Sequence, residues 1–240
     1  MKILVAGCSI SSGWGFEDEK LSPEIWPNLV GKCLDAQVIN VAKTASSNAD
    51  IFLQVLHSLT QNNYDLVLVQ WTGFDRITLA GGLDSFILIN TVVPDTKSPI
   101  FQGIPIEDLR GYTRVITTIN NMWKAFVDLS TMTEILTAQA TPVYFINGNL
   151  PWTTDFFYNP KHDTFTRTLL SIDTDEVKVR EIINQTRQQF DPTKWVNLPQ
   201  GWQYSQRDNV SETDIHAGVE SHKFYATQVV NFLKEQQCQT

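Results

Sequence analysis

A serine near one end of the 240-residue chain and an Asp-x-His pair near the other are the residues best suited to do chemistry. Ser9 follows the apolar run KILVAG, and Asp214 and His216 come just before an amphipathic C-terminal segment. Serine is a weak nucleophile until a base removes its proton, and a carboxylate can orient a histidine that acts as this base. The three residue types together predict attack on an acyl group, with activity that rises as His216 loses its proton.

Two other interpretations of the N-terminal segment fit less well. The stretch VAGC resembles a lipoprotein cleavage box, but the apolar run before Cys8 is shorter than the roughly 7–15 residues of a secretory signal. Gly7, Gly13 and Gly15 match neither spacing of the phosphate-binding loops, which disfavours a flavodoxin-like nucleotide binder. We therefore expect no signal peptide and, by default, a cytoplasmic location or a place in a larger assembly.

Composition excludes several classes of partner. The net charge of -8 and the pI of about 4.9 argue against nucleic acid, whose binding needs a basic surface. No apolar stretch is long enough to span a membrane, so no membrane partner is expected. Cys8, Cys33 and Cys238 have neither metal-ligand spacing nor the even number of a disulfide framework. We expect no metal and no cofactor, and the composition does not indicate an oligomeric state.

Strand and helix patterns alternate along the chain. This order predicts an α/β fold, a three-layer α/β/α sandwich around a parallel sheet of about five strands. The expected strands are 2–7, 37–42, 65–72, 141–148 and 194–198, and the expected helices are 22–36, 46–61, 114–138, 175–190 and 218–236. Residues 79–111 show no clear period and are interpreted as an insertion over one end of the sheet. Residues 1–240 are expected to form a single domain.

Polar segments follow the predicted strands, where open α/β sheets place their ligand sites. The first strand ends in GCS, the second runs into NVAKTASSN, the third into QWTGFDR and the fourth into NGNLPW.

The order of these segments resembles the conserved blocks of the SGNH, or GDSL-type, hydrolases, over most of the chain. GCSIS stands where that family has G-D-S, NVAKTASSNADI is similar to N-x-x-x-x-G-x-S-N, and DIHAGVESHKFYA is similar to D-x-H-P-x-x-x-G-H-x-x-x-A. The resemblance implies a flavodoxin-like SGNH fold and ester hydrolysis. Ser9 would be the nucleophile, His216 the base and Asp214 the orienting acid, with the amides of Ser9 and Ala45 as oxyanion donors.

The sequence also departs from the family pattern. Cys8 replaces the acid of the first block, and Ala45 replaces the glycine of the second. WTGFDR has no clear counterpart of the asparagine in the third block, which leaves the third oxyanion donor open among Asn147, Asn149 and Thr72. The acid and the histidine are separated by one residue where two are commonest. Residues i and i+2 share a side only in an extended segment, so Asp208 and Glu212 stay alternatives to Asp214.

Several further residues are candidates for substrate contact, and they point to a small ester or an acylated glycan. Trp14 and Trp152 follow strand ends, where an aromatic ring can stack on a sugar. Asn149 belongs to the same segment, NGNLPW, as Trp152. Arg76 can bind an anionic group or form an ion pair with Asp75. His57 and His222 are interpreted as structural, and His162 as a solvated loop residue. The alternative function is a catalytically inactive binding or structural module of the same fold.

Overall fold

The structure is a computed structural model that describes the N-terminal part of the chain continuously and the remainder in segments. The described residues are 1–72, 76–80, 86–90, 119–148, 181, 184–185, 188–196, 208–212, 214 and 216–238.

A five-stranded parallel sheet forms the centre of the molecule. Its strands lie side by side in the order β2-β1-β3-β6-β7, and every neighbouring pair is parallel. Two further strands, β4 and β5, pair antiparallel with each other. The bounds are β1 Lys2–Ala6, β2 Gln37–Asn40, β3 Leu66–Trp71, β4 Arg76–Ala80, β5 Phe86–Asn90, β6 Val143–Asn147 and β7 Trp195–Val196.

Five α-helices have bounds that the structure describes, and the described residues 181, 184–185 and 188–189 are also helical. The five are α1 Ser9–Ser12, α2 Trp26–Cys33, α3 Asn48–Gln61, α4 Ile119–Thr137 and α5 Val219–Gln237, with short 3-10 turns at Glu19–Leu21 and Pro192–Lys194. The Ser47 side chain caps α3 by accepting the backbone N–H of Asp50 at 3.2 Å. In this part of the chain no helix is long and apolar enough to cross a membrane.

Helices cover both faces of the sheet, because successive side chains of its strands point to opposite sides. On β3, Leu66 and Leu68 pack with residues of α2 and α5, whereas Val67 and Val69 pack with residues of α3 and α4. The β1 residues alternate in the same way. The predicted three-layer α/β/α fold with a parallel sheet of five strands is confirmed.

The structure differs from the sequence expectations at three places. Helix α2 begins at Trp26 rather than at Ser22, because the Ser22 hydroxyl accepts the N–H of Glu24 at 3.3 Å and closes a local turn. Helix α1 was not expected at all. Strands β4 and β5 occupy part of the stretch that was interpreted as an aperiodic insertion, with Ile77 opposite Ile89. The rest of 79–111 lies outside the described residues, as does most of 175–190.

Candidate active site

Ser9 begins a single helical turn directly after the first strand. Cys8 is the extended N-cap of α1, Ser9 is its first residue, and Gly13 ends it at φ 76°. The Ser9 side chain is largely buried, with 3% of the residue surface exposed. Ser9 therefore lies at the junction of the first strand and the first helical turn, with little of its surface exposed.

Polar side chains from neighbouring strand ends bind this turn. Asn40, the last residue of β2, donates from Nδ2 to the Ser11 carbonyl at 2.7 Å. The Ser12 hydroxyl donates to the Ser9 carbonyl at 3.0 Å and lies 3.0 Å from the Thr44 hydroxyl. The turn that carries Ser9 is therefore fixed by side chains as well as by its own backbone.

Asp214 and His216 lie on a short loop that leads into α5. The loop is closed by hydrogen bonds from Gly218 N to the Asp208 carbonyl at 3.0 Å and from Val210 N to the His216 carbonyl at 2.9 Å. The Ser211 hydroxyl accepts the N–H of Asp214 at 3.0 Å. These bonds hold the backbone on both sides of the Asp-x-His pair.

The Asp214 carboxylate binds His216 directly. Asp214 Oδ1 lies 2.6 Å from His216 Nδ1 and accepts the backbone N–H of His216 at 3.0 Å. The hydrogen bond from this backbone N–H, followed by the bond to the ring, holds the pKa of Asp214 below its ordinary value. An ionised Asp214 stabilises the tautomer with a proton on Nδ1, which leaves Nε2 free to accept one.

The residues that follow α1 lie between the Ser9 turn and the loop that carries Asp214 and His216. The Trp14 N–H donates to the Ser9 carbonyl at 3.0 Å, and the Trp14 ring centroid lies 6.2 Å from that of His216. Gly15 has φ 91°, and a Cβ built on it would lie 3.1 Å from Asp214 Oδ2, so glycine suits both its backbone and its surroundings. The loop that follows the Ser9 turn thus contacts both Asp214 and His216.

The Ser9 hydroxyl itself forms no hydrogen bond with His216 among the hydrogen bonds of these described residues. Catalytic hydrogen bonds commonly reach full strength only in the complex with substrate. The convergence of Ser9 with His216 stays a prediction, supported by the contacts through Trp14 and Gly15.

Two backbone amides near the Ser9 turn are available as donors. The N–H groups of Ser9 and Ala45 have no acceptor among the hydrogen bonds of the described residues. Ala45 has φ 68°, the left-handed conformation that glycine adopts most readily. The chain keeps this conformation although alanine replaces the glycine of the family pattern.

The candidates for a third donor lie at the ends of β3 and β6. Thr72 is fully buried, and Asn48 binds both its N–H, at 2.8 Å, and its carbonyl, at 3.1 Å. Its Oγ1 has no hydrogen-bond partner among the residues that the structure describes. Asn147 is 4% exposed and lies opposite Trp71 in the sheet register. Asn149, the third candidate, lies outside the described residues.

The two alternative acids of the C-terminal loop have other surroundings. Asp208 accepts hydrogen bonds from Glu220 N at 2.9 Å and Ser221 N at 2.8 Å, so it caps the first turn of α5. Burial raises its pKa, but the bonds from Ser221 and Glu220 together outweigh burial and hold the pKa below its ordinary value. Glu212 is exposed. Asp214 is the acid that the structure pairs with His216.

The remaining histidines have the surroundings of structural residues where they are described. His222 is buried, accepts the N–H of Trp26 on Nδ1 at 2.9 Å, and has its ring 5.1 Å from that of Phe16. Burial lowers its pKa to about 4. His57 is exposed on α3. His162 lies outside the described residues.

The proposed substrate contacts are described only in part. Trp14 is 43% exposed beside His216. Arg76 begins β4, and Asp75 and Trp152 lie outside the described residues.

Sequence reasoning missed the polar residues that hold the site. Asn40, Thr44, Asn48 and Gln70 all lie at or near strand ends and bind the Ser9 turn or Thr72. A polar residue that ends an apolar strand is the signal that could have identified Asn40 and Gln70.

Comparison with known proteins shows the fold. No protein-family model and no curated protein matches the chain. Among solved structures, the chain is similar to TesA, with 15% identity, a TM-score of 0.52, and coverage of 98% of this chain and 99% of that one. It is also similar to the lipase/acylhydrolase from Enterococcus faecalis, with 14% identity, a TM-score of 0.50, and coverage of 98% and 96%. The chain has the SGNH hydrolase fold, as the sequence resemblance implied.

Proposed function

We propose that this protein hydrolyses carboxylic esters, with Ser9 as nucleophile, His216 as general base and Asp214 as the acid that orients it. The observation that carries the proposal is the 2.6 Å contact between Asp214 and His216, on a loop that touches the residues following the Ser9 turn. The shared fold and the name of the Enterococcus faecalis lipase/acylhydrolase agree with this class of reaction.

In the first step, Ser9 Oγ attacks the carbonyl carbon of the ester while His216 Nε2 takes its proton. Asp214 stabilises the resulting imidazolium and keeps the ring oriented. The negative charge that develops on the carbonyl oxygen requires hydrogen-bond donors. The amides of Ser9 and Ala45, which have no acceptor among the described residues, are suited to supply them.

The intermediate then collapses and the ester C–O bond breaks. His216 gives its proton to the departing alkoxide, which leaves as the alcohol, and the acyl group stays on Ser9. Water attacks the acyl-enzyme by the same route, with His216 again as base, and releases the carboxylic acid. The cycle regenerates the Ser9 hydroxyl and a neutral His216.

An acylated carbohydrate is the substrate that we favour within this class. Trp14 presents an aromatic ring that is 43% exposed and lies 6.2 Å from the proposed base. An exposed aromatic ring of this kind provides a flat apolar surface on which the C–H face of a sugar can pack, beside a bond that His216 would help to cleave.

The proposal is tested by labelling with a fluorophosphonate probe and by hydrolysis of p-nitrophenyl acetate. Wild type should be labelled on Ser9 and should hydrolyse the ester. Ser9→Ala should lose labelling and at least about 10³-fold of kcat, because the nucleophile is gone.

Ser58→Ala is the matched control, since Ser58 is another buried serine, whose hydroxyl bonds to the Gln54 carbonyl within α3. This variant should label and react like wild type. Equal rates for wild type and Ser9→Ala would refute the serine mechanism and support the inactive binding module.

A further inference from the structure

Gln70 is a fully buried amide in the central strand. It precedes the last residue of β3 and shows no exposed surface. Alternation along the strand places it on the same side as Leu66 and Leu68, the face covered by α2 and α5. Apolar residues usually occupy such core-facing positions, and a fully buried glutamine is uncommon there.

The Gln70 amide binds the turn that carries Ser9. The Ser11 hydroxyl donates to Gln70 Oε1, and Ser11 is two residues after Ser9 in the single turn of α1. The same Ser11 is bound through its carbonyl by Asn40 at 2.7 Å. Strands β2 and β3 therefore reach this serine from two directions.

The neighbouring strand ends leave room for the amide. A Cβ built on Gly148, directly after β6, would lie 3.1 Å from Gln70 Nε2. A Cβ built on Gly7, directly after β1, would lie 3.1 Å from Gln70 Cβ. These contacts are tighter than side chains normally make. A Cβ on Gly7 would come even closer to Ser11 Oγ, and a Cβ on Gly148 even closer to the Trp71 carbonyl oxygen. The two glycines therefore leave room for Ser11, the Trp71 backbone and the Gln70 amide together.

The amide is only half satisfied. Gln70 Nε2 is buried and has no hydrogen-bond partner within the part of the chain that the structure describes. A buried donor without a partner costs free energy that an apolar side chain of the same length would not cost. Stability alone therefore does not account for glutamine at this position, and the bond to Ser11 is what the amide contributes.

We propose that Gln70 is a positioning residue, which acts through Ser11 to orient the turn of Ser9 for attack. The inference rests on the proposed function, because it assigns Gln70 to the nucleophile of that reaction. A small displacement of a reacting group lowers the rate strongly while the substrate still binds.

Gln70→Met tests the proposal, since methionine has similar length and removes both the bond to Ser11 and the unsatisfied donor. We expect kcat and the rate of fluorophosphonate labelling at Ser9 to fall about 10- to 100-fold. KM should stay within about twofold, and Tm should be nearly unchanged, because the substitution removes the unsatisfied donor of Gln70 but leaves the buried Ser11 hydroxyl without its acceptor. Gln70→Glu keeps an oxygen acceptor for Ser11 and should recover part of the lost rate.

Ser11→Ala removes the same hydrogen bond from its other end. If Gln70 acts through Ser11, the double variant Ser11→Ala/Gln70→Met should react no more slowly than the slower single variant. Thr133→Val is the matched control, a buried hydroxyl replaced by an isosteric methyl within α4, and it should keep wild-type kcat.

The outcomes separate this inference from the proposed function. If wild type is labelled at Ser9 and Gln70→Met is labelled at the same rate, the positioning role is wrong and the proposed function stands. If wild type is not labelled at Ser9, the proposed function fails and this inference fails with it. A fall in kcat accompanied by a matching fall in Tm, or additive effects of the two substitutions, would show a purely structural role and overturn the inference.

Discussion

Asp214 and His216 meet through a single oxygen: Asp214 Oδ1 lies 2.6 Å from His216 Nδ1 and 3.0 Å from the backbone nitrogen of the same residue. The bond from the backbone N–H of His216 holds the carboxylate of residue i on the same side as the ring of residue i+2. One intervening residue is therefore enough to place the carboxylate against the ring.

Asp214→Asn should lower kcat by about 10³- to 10⁴-fold, because an amide neither stabilises the imidazolium nor fixes the correct tautomer. Steady-state kinetics with p-nitrophenyl acetate measure this change. Because the bonds from His216 lower the Asp214 pKa, the carboxylate stays ionised down to pH values below the ordinary range of Asp. Glu212→Gln, which neutralises an exposed acid of the same loop, should leave kcat unchanged; a comparable loss in both variants would contradict the assignment.

Asp208→Ala should lower the free energy of unfolding while it leaves kcat largely unchanged. Asp208 accepts the N–H groups of Glu220 and Ser221, and the α5 N-cap residue Gly218 offers no side chain for this purpose. Removing the acceptor should lower the free energy of unfolding by about 1–2 kcal/mol in urea titrations. Asp208→Asn, which keeps one acceptor oxygen, should lose less. A fall in kcat as large as that of Asp214→Asn, with the fold intact, would mean that Asp208 serves His216 instead.

Ala45→Gly should leave the protein as stable as wild type or more stable, by up to about 1.6 kcal/mol. The left-handed conformation of Ala45 costs about 1–2 kcal/mol, and glycine avoids this cost but gives up about 0.4–1 kcal/mol through the greater freedom of the unfolded chain. Thermal unfolding gives the comparison. Ala42→Gly replaces a buried alanine without positive φ and should destabilise. Equal destabilisation by both substitutions would contradict the strain at Ala45.

The buried His222 should make stability fall between about pH 6.5 and pH 4. Burial lowers its pKa to about 4 in the folded protein, although the Asp208 charge acts in the opposite direction. An unfolded chain takes up the proton near pH 6.5, so acidification through this window favours unfolding. The loss should reach about 3 kcal/mol once the pH has fallen to the folded pKa.

Urea unfolding of wild type and His222→Gln at about pH 7.5 and about pH 4.5 measures this dependence. In His222→Gln, the free energy of unfolding should differ much less between the two pH values than it does in wild type. His57→Gln, at an exposed position on α3, should show the same difference in the free energy of unfolding as wild type. An unchanged pH dependence in His222→Gln would assign the effect to other groups.

Trp14→Ala should raise KM for an acetylated sugar several-fold, because the exposed ring would no longer pack against the substrate. The KM for p-nitrophenyl acetate should change less, because the alcohol part of this ester is smaller than a sugar and offers less surface to the ring. Trp14→Phe keeps an aromatic surface and should fall between wild type and Ala. Leu21→Ala, at another exposed apolar residue, is the control. Equal changes for both esters in Trp14→Ala would argue against sugar binding at this ring.

Local patterns in the sequence were sufficient to predict the layers of the fold. The runs that became β1 and β3 are almost wholly apolar, as central parallel strands must be, and α5 repeats its buried residues at helical spacing. The pairing of Asp214 with His216 could also be predicted from a local pattern, because the two residues are separated by only one position.

Contacts between distant residues could not be predicted in this way. The hydrogen bond between Ser11 and Gln70 joins residues 59 positions apart, and the one between Asn40 and Ser11 joins residues 29 positions apart. Neither contact produces a periodic pattern in the sequence. The start of α2 was misplaced because a side-chain bond from Glu24 N to Ser22 competes with the first helical turn. The left-handed conformation of Ala45 was indicated only by the glycine that the family pattern has at this position, because alanine itself does not normally adopt this conformation.

The position of β1 brings distant parts of the sequence together. This strand lies between β2 and β3 in the sheet, and the loop after the Ser9 turn rests against Asp214 and His216. The proposed nucleophile and its proposed base thus come from segments about two hundred residues apart. In the proposed mechanism neither segment is active alone, so ester hydrolysis would report directly on whether the two segments have folded against each other.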